Sequence, residues 1–499
     1  MLDYLEMYKK ICSIIEETES ELIKKFILDN IFTIVTDHDN EISNTFRQYC
    51  KNGTLNVNER SPQTILLART ASRIDLIKKS FCWIWRSFQR REAIWKPVLT
   101  RRAPVLLIYI PNWKYFDLGL PLYRHSKTAL GLCPVVIHQT KGEEERLFEG
   151  LTQINLSKCS MKWSFLMNAL VQLAFTKKAI NKEKSSHKNF YQFLFNHLWR
   201  NEFVNLLNEY LLRQLFERGK NIKAVFSCIP TTNLGRKLCL IAREFGVPTF
   251  SIRRGITFPN VENYFIETDF LFAKGEQEAE IYKDAGLGTR CQIVVVGAPH
   301  LPKFKQAEQF KPKGRVRLLF IDQPTSRTCS ADCKKALIGI LARSVKKCRN
   351  LELLIKLHPG TKAEFVNLYE MIFKKEGAQN FQILHPWYDL NKALNEADYV
   401  IVRNSTVAFN ALIMGKPLIV LGESFFDVEL ENPFWNERIA YLVPDESSLH
   451  ETLAKASSKE LPTKDNLEIQ SFLKRYIDCT GEEALNKIFS FMREVFTST

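Results

Sequence analysis

The stretch ADYVIVRNSTVAFNALIMGKPLIVLG, residues 397–422, decides the fold of this protein. It opens with a short apolar run, continues with apolar positions at helical spacing, and closes with a second apolar run after Gly-Lys-Pro. Short apolar runs separated by a helix are typical of parallel strands joined by a crossover helix. The stretch therefore predicts strands at 397–403 and 417–422, with a helix at 405–414 between them.

The same alternation precedes this unit along the chain. Three more strands are predicted at residues 316–322, 351–359 and 381–386. Helices fit between the strands at residues 330–347, 362–375 and 388–395. We predict a Rossmann-like domain over residues 315–465, followed by C-terminal helices over 466–499.

An earlier series predicts a second domain of the same type over residues 104–301, after a helical N-terminal region over 1–103. Its six candidate strands lie at 104–111, 133–138, 223–229, 247–252, 269–275 and 292–297. A mostly helical insertion at about 141–220 divides the series, and a polar stretch at 302–315 ends it as a linker would. The predicted fold class is α/β, with two Rossmann-like, doubly wound domains that face each other across a cleft. Ligands of such sheets bind at the carboxyl ends of the strands.

The composition favours an anionic partner. The 499 residues include 70 Lys and Arg against 55 Asp and Glu, a formal charge of +15. Nucleic acid, an acidic membrane surface and a phosphorylated small molecule all fit such a charge. The predicted strands lack the interleaved aromatic and basic residues of a single-strand binder, so we do not expect nucleic acid to be the partner.

Compartment and membrane contact are also suggested by the sequence. No secretory signal opens the chain, its most apolar run (165–175) is too short to span a bilayer, and its twelve cysteines include no CxxC pair. We expect a cytoplasmic protein with reduced thiols. The basic, aromatic stretch at 74–95 fits packing inside the protein, or else peripheral contact with an anionic membrane.

The segment KLHPG places two donors at the end of a predicted central strand. Lys356 and His358 follow the apolar run LELLI, and Pro359-Gly360 turns the chain directly afterwards. An ammonium and an imidazole can both donate to phosphate oxygens at such a strand end. Asp322 and Gln323, at the end of another strand, are further candidates for contact with a ligand.

The segment Asn404-Ser405-Thr406 lies between a strand and the helix that follows it. A Ser or Thr there is a natural N-cap, which would account for one hydroxyl. The remaining polar groups and the free N–H groups of the helix start can bind an anion. We therefore predict a phosphate seat formed by these three residues with Lys356 and His358.

Together, KLHPG and DLNKALNEADYVIVRNSTVAFNALIMGKPLIVLGESFFD resemble the C-terminal half of bacterial capsule-polysaccharide synthesis proteins, which include β-Kdo transferases that use CMP-Kdo. The layout also resembles the HP-motif sialyltransferases and, more distantly, the CDP-glycerol glycerophosphotransferases. The resemblance implies the GT-B fold. It also implies that His358, Ser405 and Thr406 contact the donor's phosphate and ribose, and that Gly422, Phe425 and Phe426 line the same region.

Residues 235–256 resemble the same family weakly and with one departure. The family commonly has His before the glycine of this loop, whereas this chain has Arg253-Arg254-Gly255. Two guanidinium groups at a strand end can clamp a carboxylate or a phosphate, and an acidic sugar carries such a carboxylate. Arg253 and Arg254 are therefore candidate donor-binding residues.

These observations predict a glycosyltransferase that uses a nucleotide sugar, with CMP-Kdo as the leading donor and a glycan or glycolipid as acceptor. Fixed charges would stabilise the leaving nucleotide without a metal, since the Asp-x-Asp spacing at 37–39 lies far from either sheet. Asp117 is the leading candidate for the base, followed by His138 and Glu143. The alternatives are a CDP-polyol phosphotransferase, a UDP-sugar transferase, and a non-catalytic protein that binds membrane or nucleic acid.

Overall fold

The structure is a computed structural model of the 499-residue chain. It describes residue 9 and the ranges 12–36, 103–159, 163–184, 187–255, 261–303, 314–325, 329–358, 361, 363–403, 405–425, 433–436, 439–462 and 464–498. The chain divides into two compact units. The first comprises 1–273, 278–300 and 484–499, and the second comprises 274–277 and 301–483.

The first unit is built on a seven-stranded parallel sheet in the order β3-β2-β1-β4-β5-β6-β7. Its strands are β1 Val105–Tyr109, β2 Cys133–His138, β3 Gln153–Asn155, β4 Ile222–Ser227, β5 Thr249–Ile252, β6 Phe270–Ala273 and β7 Gln292–Val295. The central strands β1 and β5 are buried along their whole length, as expected for strands covered on both faces.

Helices of the first unit cover this sheet and form a separate bundle. They are α1 Glu21–Thr36, α2 Phe116–Leu130, α3 Trp163–Lys182, α4 Lys188–Arg218, α5 Asn233–Glu244 and α6 Glu276–Asp284. One apolar core joins α1, α3 and α4. No helix among the described residues is long and apolar enough to span a membrane.

The second unit is built on a six-stranded parallel sheet in the order β10-β9-β8-β11-β12-β13. Its strands are β8 Val316–Ile321, β9 Leu351–Lys356, β10 Phe381–Leu384, β11 Tyr399–Val402, β12 Leu418–Leu421 and β13 Tyr441–Val443. Its helices are α7 Ala331–Lys346, α8 Ala363–Glu376, α9 Leu390–Glu396, α10 Val407–Ile413, α11 Pro433–Asn436, α12 Glu446–Ser458 and α13 Asn466–Tyr476. The last helix of the chain, α14 Gly481–Ser498, places its apolar side against the sheet of the first unit.

Each sheet reverses its strand order once. In the second sheet β8 lies between β9, which follows it in sequence, and β11, which belongs to the other half. The order matches that of a Rossmann fold, in which ligands bind beyond the carboxyl ends of the strands where the order reverses. The loops after β8, β9 and β11 are therefore the expected binding region of this unit.

The predicted pair of Rossmann-like sheets is confirmed, and all eleven predicted strands are present. The sequence analysis missed β3 and β13, which have three residues each, and the helix α12. Of the predicted N-terminal helical region, the structure describes α1 and part of the chain before it. The aromatic stretch at 74–95 and the Asp-x-Asp at 37–39 lie outside the described residues.

Gly422, directly after β12, packs too closely for any side chain. A Cβ atom at this position would lie 2.7 Å from Cη2 of the Trp435 ring and 3.0 Å from the Cα atom of Pro444. The Gly422 N–H donates to the carbonyl of Val443 at 2.7 Å, which holds the backbone in place. The glycine is therefore required by packing between β12, β13 and α11, whatever ligand the site binds.

We expect Gly422→Ala to lower the free energy of unfolding by about 1–3 kcal/mol, since overpacking displaces a ring and a backbone segment. Urea unfolding measures the change. Gly288→Ala is the matched control, because its Cβ would meet nothing closer than 3.9 Å. Equal stability of the two variants would contradict the packing role.

Candidate functional site

The site predicted from the sequence lies at the carboxyl edge of the second sheet. Asp322 and Gln323 follow β8, His358 follows β9, and Ser405 and Thr406 follow β11. The Asp322 N–H donates to the carbonyl of Lys356 at 3.0 Å, which extends the pairing of β8 and β9 to this edge. Asn404 lies outside the described residues.

Asp322 is the centre of a buried polar network, and its side chain is only 2% exposed. The Lys334 ammonium lies 2.9 Å from each of its carboxylate oxygens. Thr361 Oγ1 and the Tyr369 hydroxyl donate to it, each at 2.8 Å. With three donors around it, the carboxylate is saturated by protein groups and does not need a ligand.

Tyr369 and Lys334 are suited to donate within this network. Burial, reinforced by the Asp322 carboxylate, raises the pKa of Tyr369 well above its usual value, so its hydroxyl stays neutral. The Lys334 side chain is 1% exposed and also donates to the carbonyl of Gln323 at 2.8 Å. The network therefore fixes α7, α8 and the backbone after β8 with respect to one another.

His358 is half-buried, and the network controls its backbone. The Thr361 N–H donates to the His358 carbonyl at 2.8 Å, while the Thr361 hydroxyl is bonded to Asp322. Thr361 thus connects the turn that carries His358 to the buried carboxylate. Because Asp322 is enclosed in this way, its contribution to the site is positional.

Lys356 is 7% exposed, and its Nζ donates to the carbonyls of Leu357 at 3.0 Å and Pro386 at 2.7 Å. Burial lowers the pKa of Lys356, an effect that the charge of Asp389 opposes. An ammonium has three donors, and these two bonds use two of them. The bond to Pro386 ties the loop after β10 to the end of β9. One donor is left for a ligand.

Arg403, at the end of β11, was not among the predicted residues. Its side chain is 1% exposed and donates to the sulfur of Cys329. The charge of Arg403 lowers the pKa of Tyr369 against the stronger effect of burial, which places Arg403 beside the Asp322 network. Two cationic side chains, Lys334 and Arg403, are therefore almost fully buried next to this edge of the sheet.

The helix start after β11 uses one of its two hydroxyls. Thr406 occupies the N-cap position of α10, while the Val407 N–H donates to Ser405 Oγ at 3.3 Å. Thr406 makes no capping bond through its side chain and is exposed. The predicted cap is thus divided between the two residues, since Thr406 has the N-cap position and Ser405 accepts the hydrogen bond.

Of the aromatic pair implied by the family resemblance, the structure describes only Phe425. Phe425 is 2% exposed and belongs to the core of the second unit. Phe426 lies outside the described residues.

In the first unit, two residues predicted on separate grounds contact each other. Arg254, after β5, donates to both carboxylate oxygens of Asp117, in the first turn of α2, through Nε at 2.8 Å and Nη2 at 2.6 Å. Burial lowers the pKa of Arg254 and the bonds to Asp117 raise it, with a net increase. Arg253 instead donates to Asn263 Oδ1 at 2.6 Å. Both Asp117 and Arg254 remain more than one-third exposed and can exchange this pairing for a ligand.

His138, the second candidate base, is enclosed in the core. Its Nδ1 lies 2.7 Å from Thr140 Oγ1, its Nε2 lies 2.5 Å from Gln153 Oε1, and its ring stacks on Phe148 at 4.1 Å. Burial lowers the pKa of this imidazole. The arrangement is structural. The side chain of Glu143, the third candidate, lies outside the described part of the chain.

The comparisons with known structures confirm the GT-B fold. The chain is similar to the S. aureus MnaA protein solved with UDP, with a TM-score of 0.50 and 11% identity over 79% of this chain and 97% of that one. A Listeria monocytogenes protein described as a UDP-N-acetylglucosamine 2-epimerase has a TM-score of 0.51 and 12% identity, over 79% of this chain and 97% of that one. A glycosyltransferase from Rickettsia africae has a TM-score of 0.50 and 12% identity, over 80% of this chain and 100% of that one. At these identities the likeness concerns the fold.

In sequence, no curated protein matches the chain. The family model for capsule polysaccharide biosynthesis proteins, however, matches residues 300–430. These residues span β8 to β12 and include His358, Ser405 and Gly422. The segment that carries the predicted phosphate site is thus similar to capsule polysaccharide biosynthesis proteins, and the chain has the GT-B fold.

Proposed function

We propose that this protein is a glycosyltransferase that transfers an acidic sugar from a CMP-linked donor, with CMP-Kdo as the donor, to a glycan or glycolipid of a bacterial surface. The observation that carries the proposal is the set of polar donors at the carboxyl ends of β9 and β11, within the segment that matches the capsule family. Polar donors at such an edge suit a nucleotide phosphate. The Thr406 hydroxyl and the third proton of Lys356 are two such donors.

The proposed reaction is a displacement at the anomeric carbon of the sugar. The acceptor oxygen forms a bond to this carbon, the bond to the phosphate oxygen breaks, and the nucleotide leaves with the electron pair. His358 and Lys356 donate to the departing phosphate, and their positions are fixed before the reaction, so little reorganisation is required. We propose that these fixed charges take the place of a metal ion.

A base must accept the proton of the acceptor hydroxyl. Asp117 stays the proposed base, and its carboxylate accepts two hydrogen bonds from Arg254. A carboxylate in a bidentate ion pair is a weak base, because the guanidinium stabilises its ionised form. The proposal therefore requires that Arg254 turn from Asp117 to the carboxylate of the donor sugar, which would free the base when the substrate binds.

Two alternatives use the same phosphate seat with another donor. A CDP-polyol phosphotransferase is one, and a UDP-sugar transferase is the other. UDP is a relevant candidate because the S. aureus protein of the same fold has been solved with it. A non-catalytic protein that binds membrane or nucleic acid through its charge of +15 is the alternative from a different class.

We also propose that the protein works in the cytoplasm, in contact with the anionic inner face of the plasma membrane. A lipid-linked acceptor would be presented there, and the net charge of +15 favours such a surface.

The proposed donor implies that the protein binds CMP more tightly than CDP or UDP. CMP should raise the melting temperature, while CDP and UDP should raise it less at equal concentration. A ligand at about 100 times its dissociation constant stabilises the native state by about 2.7 kcal/mol. Differential scanning fluorimetry measures the shift, and a larger shift with UDP would overturn the CMP assignment.

His358→Ala should weaken CMP binding by about tenfold to a hundredfold, since a hydrogen bond to a charged group contributes about 1.5–3 kcal/mol. It should also lower kcat for sugar transfer by about a hundredfold to a thousandfold, as removal of one donor to the developing charge does. The matched control is His385→Ala, since His385 precedes a proline in the same way but follows the edge strand β10. Calorimetric titration measures the affinities, and equal losses in the two variants would contradict the role of His358.

Thr361→Val tests the link between the buried carboxylate and His358. It removes the hydroxyl that donates to Asp322 without leaving a buried charge unpaired. We expect a loss of about tenfold in kcat, because misplacement of a donor lowers the rate, with CMP affinity less affected.

Thr361→Ser keeps the hydroxyl and should restore the rate. In addition, adding Thr361→Val to His358→Ala should cause no further loss, because both changes act through the same group. Additive losses would show that Thr361 does not act through His358.

A further inference from the structure

The helix α3, in the first unit, has two apolar faces. One face contributes Leu166, Ala169, Leu173 and Ile180 to the core shared with α1 and α4. The other face is exposed, with Met167 at 41%, Leu170 at 36%, Val171 at 46% and Phe175 at 54%. These residues recur at three- and four-residue spacing and so lie side by side on the helix. Exposed apolar residues that cluster in this way mark an interaction site, whereas single ones do not.

The exposed face continues into positive charge. Lys178 follows Val171 by seven positions and Phe175 by three, and Lys182 follows one turn later, so both extend the same stripe. Lys177, Lys178 and Lys182 are exposed, and the ion pairs recorded among the described residues include none of the three. Residues 151–182 contain five lysines and no Asp or Glu. The charged residues of this window are therefore all basic, and Glu183, directly after it, is buried.

From this combination we infer that the exposed face of α3, defined by Met167, Leu170, Val171, Phe175, Lys178 and Lys182, is the surface that docks on an anionic phospholipid bilayer. Helices that lie in a membrane interface insert an apolar face and carry lysines on its border. Long lysine side chains reach the headgroups while their stems stay near the apolar residues. The inference deepens the proposed membrane contact and rests on it, but it uses no residue of the nucleotide site.

A second copy of the chain is a poorer occupant of this face. A self-association through α3 would bring together two helices with no acidic residue over 151–182 to pair with the lysines. The net charge of +15 on each chain also opposes association of two copies. An anionic bilayer, by contrast, complements both the charge and the apolar stripe.

The rigid attachment of α3 gives the docking a defined geometry. Its buried face packs on α1 and α4, so the exposed face is held in place by the fold and does not have to form on binding. A preformed surface binds without the ordering cost that a disordered segment would bear. The orientation of the first unit on the bilayer would then be set by the axis of one helix.

Vesicle co-sedimentation of the full chain, without nucleotide, tests the inference. Vesicles of phosphatidylcholine with about 30 mol% phosphatidylglycerol should bind the protein at least about tenfold more tightly than phosphatidylcholine alone, since each lysine near an anionic surface adds to the attraction. Leu170→Ser/Phe175→Ser and Lys178→Glu/Lys182→Glu should each lower the binding by about tenfold. Melting temperature and CMP affinity should stay unchanged in both variants.

Matched controls come from the second unit. Met371→Ser/Leu467→Ser removes two single exposed apolar residues, and Lys374→Glu/Lys375→Glu reverses two adjacent exposed lysines. Both controls should bind vesicles as the unchanged protein does. If the control variants lost as much vesicle binding as the α3 variants, the binding would depend on the overall charge and apolar content of the protein, and the inference would be overturned.

Three further outcomes would also overturn it. The first is that the unchanged protein does not bind anionic vesicles, and the second is that the α3 variants bind them as tightly as the unchanged protein. The third is a dimer in light scattering that becomes a monomer in the α3 variants, with no binding of the protein to vesicles. Since CMP affinity is measured on the same samples, failure of the docking surface is distinguished from failure of the proposed donor. If the unchanged protein did not bind CMP, the proposed CMP-linked donor would be contradicted, but the docking surface on α3 would not.

Discussion

The buried pair of Asp322 and Lys334 is the interaction on which the nucleotide site depends. It joins the end of β8 to the first turn of α7, and the same carboxylate accepts from Thr361 in the turn after β9 and from Tyr369 on α8. Four segments of the second unit therefore meet on one side chain. Removing one partner of such a pair leaves an uncompensated buried charge, which costs about 3–5 kcal/mol. The pair is kept because it fixes the loops of the site, since burial of charge is by itself a poor source of stability.

The network also determines the electrostatics of the site. Lys334 and Arg403 are almost fully buried, Lys334 against Asp322 and Arg403 against the sulfur of Cys329. Charges in a poorly hydrated environment act more strongly on a nearby phosphate than the same charges would in water. The exposed donors then need to orient the phosphate rather than to add further positive charge. This division of labour fits the proposed transfer chemistry, in which His358 and the helix start orient a phosphate that the buried cations attract.

The sequence predicted what depends on local pattern. The central strands are continuous apolar runs because they are buried on both faces, and the cap of α10 involves a short-range hydrogen bond to Ser405. The strands β3 and β13 have three residues at the edges of their sheets, too few for a pattern to be recognised. Asp322 was the member of the network that the sequence indicated, because it follows a predicted strand, whereas Thr361 was missed although it directly follows the Pro359-Gly360 turn. The burial of Arg403 and Lys334 was not predictable, because a charged side chain is expected at the surface unless its partner is known. Nor was the contact between Asp117 and Arg254, which lie 137 positions apart. His138 was expected as a candidate base, but its ring nitrogens bond Thr140 and Gln153 inside the core.

The central claim is that the carboxyl edge of the second sheet holds the phosphate of a CMP-linked donor. A crystal structure of the complex with CMP tests it most directly. The account predicts the phosphate within hydrogen-bonding distance of the His358 imidazole and of the Ser405-Thr406 segment, with Asp322 and Lys334 still paired beneath it. A phosphate bound elsewhere, for example on Arg253 in the first unit, with the His358 turn empty, would contradict the claim.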